Sequence, residues 1–233
     1  MPTSSSYIRS PKLTPGAFIQ LLEIVGGFSP EVVTFQYNPE KISRSFRIYS
    51  DGAHNAERGQ ESPQTQPYVP DESISFSLVL DAADGLGEGR VLEERFGITA
   101  KLSAIERLIF ASGDLNALVA GQVPGYASEI AAQPRVPTTL LVLGPHRLVP
   151  IRITSMSIEE ELFAPDLRPI RATVSLSLNV ISEEQLRGLT HATDQIARAA
   201  YLRHRSARYD LALASKADAA ELTLGTFGSV LRL

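Results

Sequence analysis

The sequence contains no cysteine and no tryptophan. The absence of cysteine excludes disulfides, thiol nucleophiles and thiolate metal sites, and it fits a reducing compartment. No apolar run is long enough to cross a bilayer, and residues 1–16 lack the apolar centre of a secretory signal. We therefore expect a cytoplasmic protein that does not insert into a membrane.

The chain also has no large excess of positive or negative charge. The 22 Lys and Arg against 26 Asp and Glu leave a net charge of -4, which gives no reason to expect nucleic-acid binding by the bulk surface. With 233 residues and 43% hydrophobic content, the chain can bury one sizeable core and carry an appendage. We divide it into a flexible arm (1–16), a β domain (17–181) and a helical C-terminal extension (182–233).

The sequence also lacks the spacings that catalysis or metal binding requires. Its glycines Gly85, Gly87 and Gly89 do not form a GxGxxG motif, and no serine lies in a GxSxG elbow. The histidines are far apart, without HxH or HExxH spacing: His54, His146, His191 and His204. Three consecutive glutamates, residues 159–161, suit a sheet edge or a subunit contact better than acid–base catalysis. We expect no enzyme, catalytic residue, cofactor, metal ion or small-molecule substrate.

The most regular pattern that the sequence does contain is a two-residue alternation over Ile170 to Val180. Apolar residues fall on one side of the predicted strand, and Thr, Ser, Arg and Asn fall on the other. The stretch Ser73 to Leu80 repeats the pattern with serines. Both predict half-buried strands of one sheet, whose smooth polar side faces water, a ligand or a lumen made with other subunits.

Further strands are predicted along the chain. Ala17 to Val25 and Val32 to Tyr37 indicate a hairpin that turns at Ser29 and Pro30, and the next strand places Ile42, Phe46 and Ile48 opposite a basic face of Arg44 and Arg47. Thr138 to Leu143 and Leu148 to Phe163 indicate a second hairpin. In the last of these strands the apolar phase slips near Ser155, which predicts a β-bulge.

Helical spacing appears in two places. Residues 88–111 predict a helix with a weak point at Gly97 and a possible restart cap at Thr99; its core-facing residues are Leu92, Phe96, Leu102, Ile105, Leu108 and Ile109. Ser182 to Gln185 is a helix-start signature for a helix to about Arg208, with another over 212–220. The basic residues of this helix are candidates for docking a partner: Arg198, Arg203, Arg205 and Arg208. Residues 49–70 and 112–137 predict long connections.

The segment VTFQYNPEKI, residues 33–42, resembles the opening motif of the contractile injection system tube-protein family. The motif residues here are Phe35, Tyr37, Asn38 and Pro39. The following order is also similar: the strand ISFSLVLDA with its trailing Asp81, a helix, and a strand pair in which Asp166, Arg171 and Ala172 match. The resemblance covers residues 17–181.

This resemblance implies a mainly β fold with helices (α+β): an antiparallel, tail-tube-like β-barrel or sandwich with a flanking helix. It implies a non-enzymatic baseplate adaptor or tube initiator that forms a homohexameric ring, within an injection particle, between the spike hub and the inner tube. Its partners would be its own copies, the spike or hub, the inner tube or a second initiator, and a baseplate wedge component. Thr173, Ser175 and Ser177 would then line the lumen or a subunit seam.

One common family feature is missing, since residues 182–233 lack the strand-helix-helix-strand pattern of a LysM module. A role in gripping the baseplate through LysM is therefore not carried over. The alternative function is a stand-alone β-barrel that binds a small molecule in its interior. Mid-sized aliphatic residues at the inward positions would fill such a barrel, which disfavours this alternative.

Overall fold

The computed structural model describes residues 14–24, 27–48, 69–110 and 136–226. The predicted arm at 1–16 falls outside this part except for its last three residues. The predicted connections at 49–70 and 112–137 also lie almost wholly outside the described residues. The boundaries of the proposed β domain and C-terminal extension stay predictions.

Seven antiparallel strands form one sheet in the order β2-β1-β5-β6-β7-β4-β3. The strands are β1 Ala17–Ile24, β2 Gly27–Thr34, β3 Ile42–Arg47, β4 Asp71–Asp81, β5 Thr138–Val142, β6 Leu148–Phe163 and β7 Pro169–Val180. The helices are α1 Ala83–Gly87, α2 Val91–Phe96, α3 Thr99–Glu106, α4 Glu183–Leu186 and α5 Ala192–Thr226, with a 3-10 turn at Arg107–Ile109.

The core lies on one face of a strongly curled sheet. As the alternation predicts, the apolar rows of β4 and β7 are buried and the serine rows are not. Four inter-strand steps separate β1 from β4, about 19 Å in a flat sheet. Phe18 on β1 and Phe76 on β4 nevertheless stack with their ring centroids 6.3 Å apart. The curl therefore brings distant strands together around one core.

The mixed α+β class and the antiparallel sheet are confirmed, whereas a closed barrel is not. In the described part of the chain, β2 and β3 are the two sheet edges, and no hydrogen-bonded ladder joins them. The sheet is thus open, and its interior is filled by side chains of the main core cluster.

The β-bulge in β6 is confirmed. The register with β7 shifts between Ile153 and Ser155, so that one extra residue, Thr154, is inserted. Ile153 pairs with an inward residue of β7 before the shift, and Met156 does so after it. The bulge therefore turns the serines of β6 to the same side as the serines of β7.

Two details of the predicted strands are wrong. Ser29 and Pro30 lie inside β2, and the hairpin turn falls between Ile24 and Gly27 instead. A proline fits there because β2 is an edge strand, where a missing N–H costs no ladder hydrogen bond. Arg44 shares the face of Ile42, not the opposite one, and its guanidinium forms an ion pair with Glu72.

The helix predicted over residues 88–111 is broken into α2, α3 and the 3-10 turn, and α1 lies before that range. The chain turns at Gly97, which has a φ of +57°, and Thr99 starts α3 without capping it. Of the six residues expected to face the core, Leu102, Ile105 and Leu108 are buried; Leu92, Phe96 and Ile109 are exposed. Glu93, expected on the outer side, is buried and pairs with Lys101 at 3.1 Å.

The C-terminal helix start is confirmed, but the helix is not continuous from it. Ser182 and Gln185 form the capping box of α4, which ends after four residues. Residues 192–226 then form one helix, α5, where two were expected. Ala200 of α5 packs against Leu21 and Leu140, on the face of β1 and β5 opposite the main core. Among the described residues, no helix is both long and apolar enough to cross a membrane.

We expect Gly97→Ala to lower the free energy of unfolding by about 1–3 kcal/mol, because its positive φ strains a side chain. A Cβ there would also lie 2.3 Å from the carbonyl oxygen of Pro169. Denaturant unfolding measures the change. Gly87→Ala is the matched control, since a Cβ at Gly87 meets nothing within 4 Å. Equal stabilities of the two variants would contradict the prediction.

Candidate functional site

The Asn-Pro turn, residues 35–41, joins β2 to β3 and is anchored first by an aromatic contact. Phe35 is buried, and its ring centroid lies 5.1 Å from that of Phe18 and 5.8 Å from that of Phe76. Its backbone N–H donates to the carbonyl oxygen of Gly16 at 2.8 Å. A Cβ on Gly16 would lie 2.6 Å from the Phe35 ring, so only glycine allows this approach.

The next two residues connect the turn to the end of β4 and to α1. Gln36 Nε2 donates to the backbone oxygen of Asp81 at 2.6 Å, and the Asp81 N–H donates back to Gln36 Oε1 at 3.2 Å. The amide of Gln36 thus pairs with both backbone groups of one residue, as a neighbouring strand would. Tyr37 donates its hydroxyl hydrogen to Asp84 Oδ2 at 2.8 Å, and this hydrogen bond raises the pKa of Tyr37.

Asn38 connects the turn to the segment that precedes β1. Its Oδ1 accepts from the Gly16 N–H at 2.8 Å, and its Nδ2 donates to the Thr14 carbonyl oxygen at 3.2 Å. An asparagine suits this position because its amide donates and accepts at the same time. The motif residues therefore act as a clamp that joins the core, β4, α1 and residues 14–16.

Two other motif residues meet across the sheet. Asp81 and Arg171 are register partners of β4 and β7. Asp81 Oδ2 accepts from Arg171 Nε at 2.9 Å and Nη2 at 2.6 Å, while its Oδ1 accepts from the Ala83 N–H at 2.7 Å. The Ala83 N–H and then the guanidinium hold the pKa of Asp81 below its ordinary value. Asp166, the remaining acidic match, pairs with Arg168 at the β6–β7 turn.

The serine face is the uncovered polar side of β6, β7, β4 and β3. One cross-strand row consists of Ser155, Ser177, Ser75 and Ser43, and the next consists of Ser157, Ser175 and Ser77. The hydroxyl oxygens of Ser77 and Ser175 lie 3.0 Å apart. Thr173 continues the face between Val79 and Glu159. The three predicted residues, Thr173, Ser175 and Ser177, thus belong to a wider surface of small hydroxyls.

The serine face and the Asn-Pro turn border one cavity of about 700 Å³. The turn supplies Tyr37 to Lys41 along its rim, and serines of four strands form its floor. Neither the turn nor the face places a carboxylate, an imidazole and a nucleophile in contact. The geometry therefore offers shape and hydrogen-bonding hydroxyls to a partner surface.

The four predicted docking arginines of α5 are used differently. Arg198 Nη2 pairs with Glu183 Oε1 at 2.7 Å, and Arg208 Nη1 pairs with Glu72 Oε2 at 3.2 Å. Arg208 also lies over the Phe46 ring, 5.5 Å from its centroid. Arg203 and Arg205 are exposed on the helix. Half of the set thus holds α5 to its own chain.

Sequence reasoning missed the Gln36 pairing and the Asp81–Arg171 ion pair. Both partners of the ion pair are motif residues, but their contact depends on the register of β4 against β7. The sequence contains a signal for this register, because Asp81 ends one alternating strand and Arg171 lies near the start of another. No comparable signal marks Gln36 in the sequence.

Asp81→Asn should lower the free energy of unfolding by about 1–2 kcal/mol at pH 7, because Arg171 loses its charged acceptor. A carboxyl whose folded pKa is depressed stabilises the protein above its unfolded pKa, about 3.9. That contribution is lost as the pH falls through the folded pKa, so the two proteins should converge in stability below about pH 4. Urea unfolding from pH 7 to pH 2 tests this, with the exposed Asp71→Asn as control. A difference that does not change with pH would refute the prediction.

Of the comparisons with known proteins, the one with family models agrees with the resemblance carried by the Asn-Pro motif. A solved structure described as "Tail of empty GTA particle", with C6 symmetry, is 14% identical with a TM-score of 0.30, covering 71% of this chain and 91% of that chain. The comparison with curated proteins found no match. The family model for "Contractile injection system tube protein" matches residues 26–188, more than half of the chain. The chain therefore belongs to the contractile injection system tube protein family.

Proposed function

We propose that this protein is a tube-initiating adaptor, which forms a homohexameric ring and joins the spike hub of an injection particle to its inner tube. The role is structural and not catalytic, and the ring assembles in the cytoplasm. The observation that carries the proposal is the family match over residues 26–188, which includes the Asn-Pro turn and the strands of the serine face.

The open sheet supports assembly with neighbouring copies. In the described part of the chain, β3 pairs only with β4, so its other edge offers unpaired N–H and C=O groups. Such an edge recruits another strand or must be covered. In a ring, the adjoining subunit covers it.

The serine face supports a lumen or a subunit seam. The side chains of its two serine rows are short and uncharged, and Ser77 Oγ and Ser175 Oγ lie 3.0 Å apart across β4 and β7. Such a surface is wettable and does not obstruct a passing cargo. The exposed Arg203 and Arg205 of α5 are proposed to contact a baseplate wedge component, which would leave the sheet free to face the hub and tube.

The ligand-binding barrel receives less support from the same geometry. Three phenylalanine rings, those of Phe18, Phe35 and Phe76, contact each other between the ends of the curled sheet. They occupy the space in which an internal ligand would lie.

Deletion of this protein tests the adaptor role. Particles assembled without it should carry spikes that lack tubes, visible by electron microscopy, and the wild-type chain supplied in trans should restore the tubes. Tubes that still form on spikes in its absence would rule out the role.

Ser177→Trp and Ser175→Trp should impair tube assembly or cargo loading while the isolated subunit stays folded, because a bulky ring replaces a small hydroxyl on the serine face. Ser103→Trp, at an exposed serine of α3, is the matched control. Circular dichroism checks the fold, and counts of tubed and loaded particles measure the effect. If both variants assemble and load normally, the serine face is an ordinary solvent-exposed surface with no role in assembly or loading.

A further inference from the structure

A second cavity, of about 570 Å³, lies where the Asn-Pro turn, the β5–β6 turn and α5 meet. We call it the basic cavity. Its volume is in the range of sites that hold a ligand or a few inserted side chains. Cations and apolar groups line it together: Arg44, His146, Arg147, His204, Arg208 and Leu211.

The basic cavity holds more positive charge than its own carboxylates neutralise. Glu72 pairs with Arg44 at 2.5 Å and with Arg208 at 3.2 Å, so one carboxylate serves two guanidinium groups. The third, Arg147, is partly buried, and no carboxylate of the described residues forms an ion pair with its side chain. Burial and then the charge of Arg44 lower the pKa of Arg147. A guanidinium in this situation is stabilised by an incoming anion.

His204 anchors the wall of the basic cavity and adds no positive charge to it. His204 is buried, its Nδ1–H donates to the His146 carbonyl oxygen at 3.1 Å, and burial lowers its pKa. It is therefore neutral at pH 7 and anchors α5 to the β5–β6 turn. The arginines of the basic cavity therefore provide the positive charge that a bound anion would meet.

The complementary chemistry lies at the other end of β6. The hairpin tip, residues 159–167, begins with three exposed glutamates. It continues with exposed apolar side chains, of which Leu162 is 59%, Phe163 is 50% and Leu167 is 78% accessible. Acidic and apolar side chains are what a cavity lined by arginines and leucine would bind.

The backbone of the hairpin tip is also unusual. Leu162 has a φ of 52° and Leu167 a φ of 64°, a left-handed conformation that favours glycine or asparagine. These leucines are strained and exposed, so they add little to the stability of a single chain. Strain of this kind is typical of residues that are held for a contact.

One molecule cannot bring its own tip to its own cavity. The basic cavity lies at the start of β6 and the tip at its end, and 16 residues of strand span about 50 Å. Two copies arranged head to tail satisfy both surfaces at once. Such a heterologous contact generates a closed ring or a stack.

We propose that the hairpin tip of one copy inserts into the basic cavity of the next copy, with its glutamates on the arginines and Leu162 and Phe163 against the apolar lining. The inference rests on the proposed function, since it names the residues through which the copies assemble.

Because the sequence contains no cysteine, engineered thiols can locate this contact without interference. Ala164→Cys places a thiol in the tip, and Pro145→Cys places one at the cavity rim with the arginines intact. The two purified single variants are mixed at concentrations up to their solubility limit, and a mild oxidant is then added. We expect a disulfide heterodimer in at least about tenfold higher yield than with Ser103→Cys in place of Pro145→Cys. Equal yields would overturn the proposal.

Charge reversal tests the chemistry of the contact. Arg147→Glu introduced into the Pro145→Cys partner should lower the heterodimer yield about tenfold, and Glu160→Lys in the tip partner should restore part of it. Arg187→Glu, at an exposed loop position, is the control and should leave the yield unchanged. A yield that does not respond to Arg147→Glu would refute the electrostatic match.

Failure of this contact is distinguishable from failure of the proposed function. If the charge variants still form tubed particles and the cross-link is absent, the adaptor role stands and the contact is wrong. If particles without this protein still carry tubes, the adaptor role fails whatever the cross-linking shows.

Discussion

The contact among Phe18, Phe35 and Phe76 is the interaction on which the rest of the structure depends. These rings belong to β1, to the Asn-Pro turn and to β4, and they meet only because the sheet curls through four inter-strand steps. With Phe35 fixed in the core, the following residues are placed where their polar side chains reach β4, α1 and residues 14–16. The family motif is thus a structural clamp, and the candidate site is formed around it.

The two faces of the sheet differ in what they present. One face carries the main core, to which Tyr201 of α5 also belongs. The other face packs against Ala200 of α5 at Leu21 and Leu140, and it carries small hydroxyl side chains over β6, β7 and β4. The bulge at Thr154 makes this division possible, because without it the apolar residues of the second half of β6 would point to the serine side.

Much of this arrangement is readable in the sequence, because a strand with one buried face leaves a two-residue period. The bounds of β6 and β7, the bulge and the capping box at Ser182 all follow from local patterns. The curl, the Gln36 pairing with Asp81 and the basic cavity do not, since they depend on contacts between segments that are distant in the sequence. The helical spacing wrongly predicted that Leu92 and Phe96 face the core, because Gly97 breaks the helix that would have turned them inward.

Pro30 in β2 has a consequence for the two edges of the sheet. Pro30 offers no N–H to an incoming strand, whereas every residue of β3 has one. Because an edge that lacks a donor pairs less readily with another strand, the two edges are unequal: β3 is the more open to extension of the sheet, and β2 is the better guarded against it.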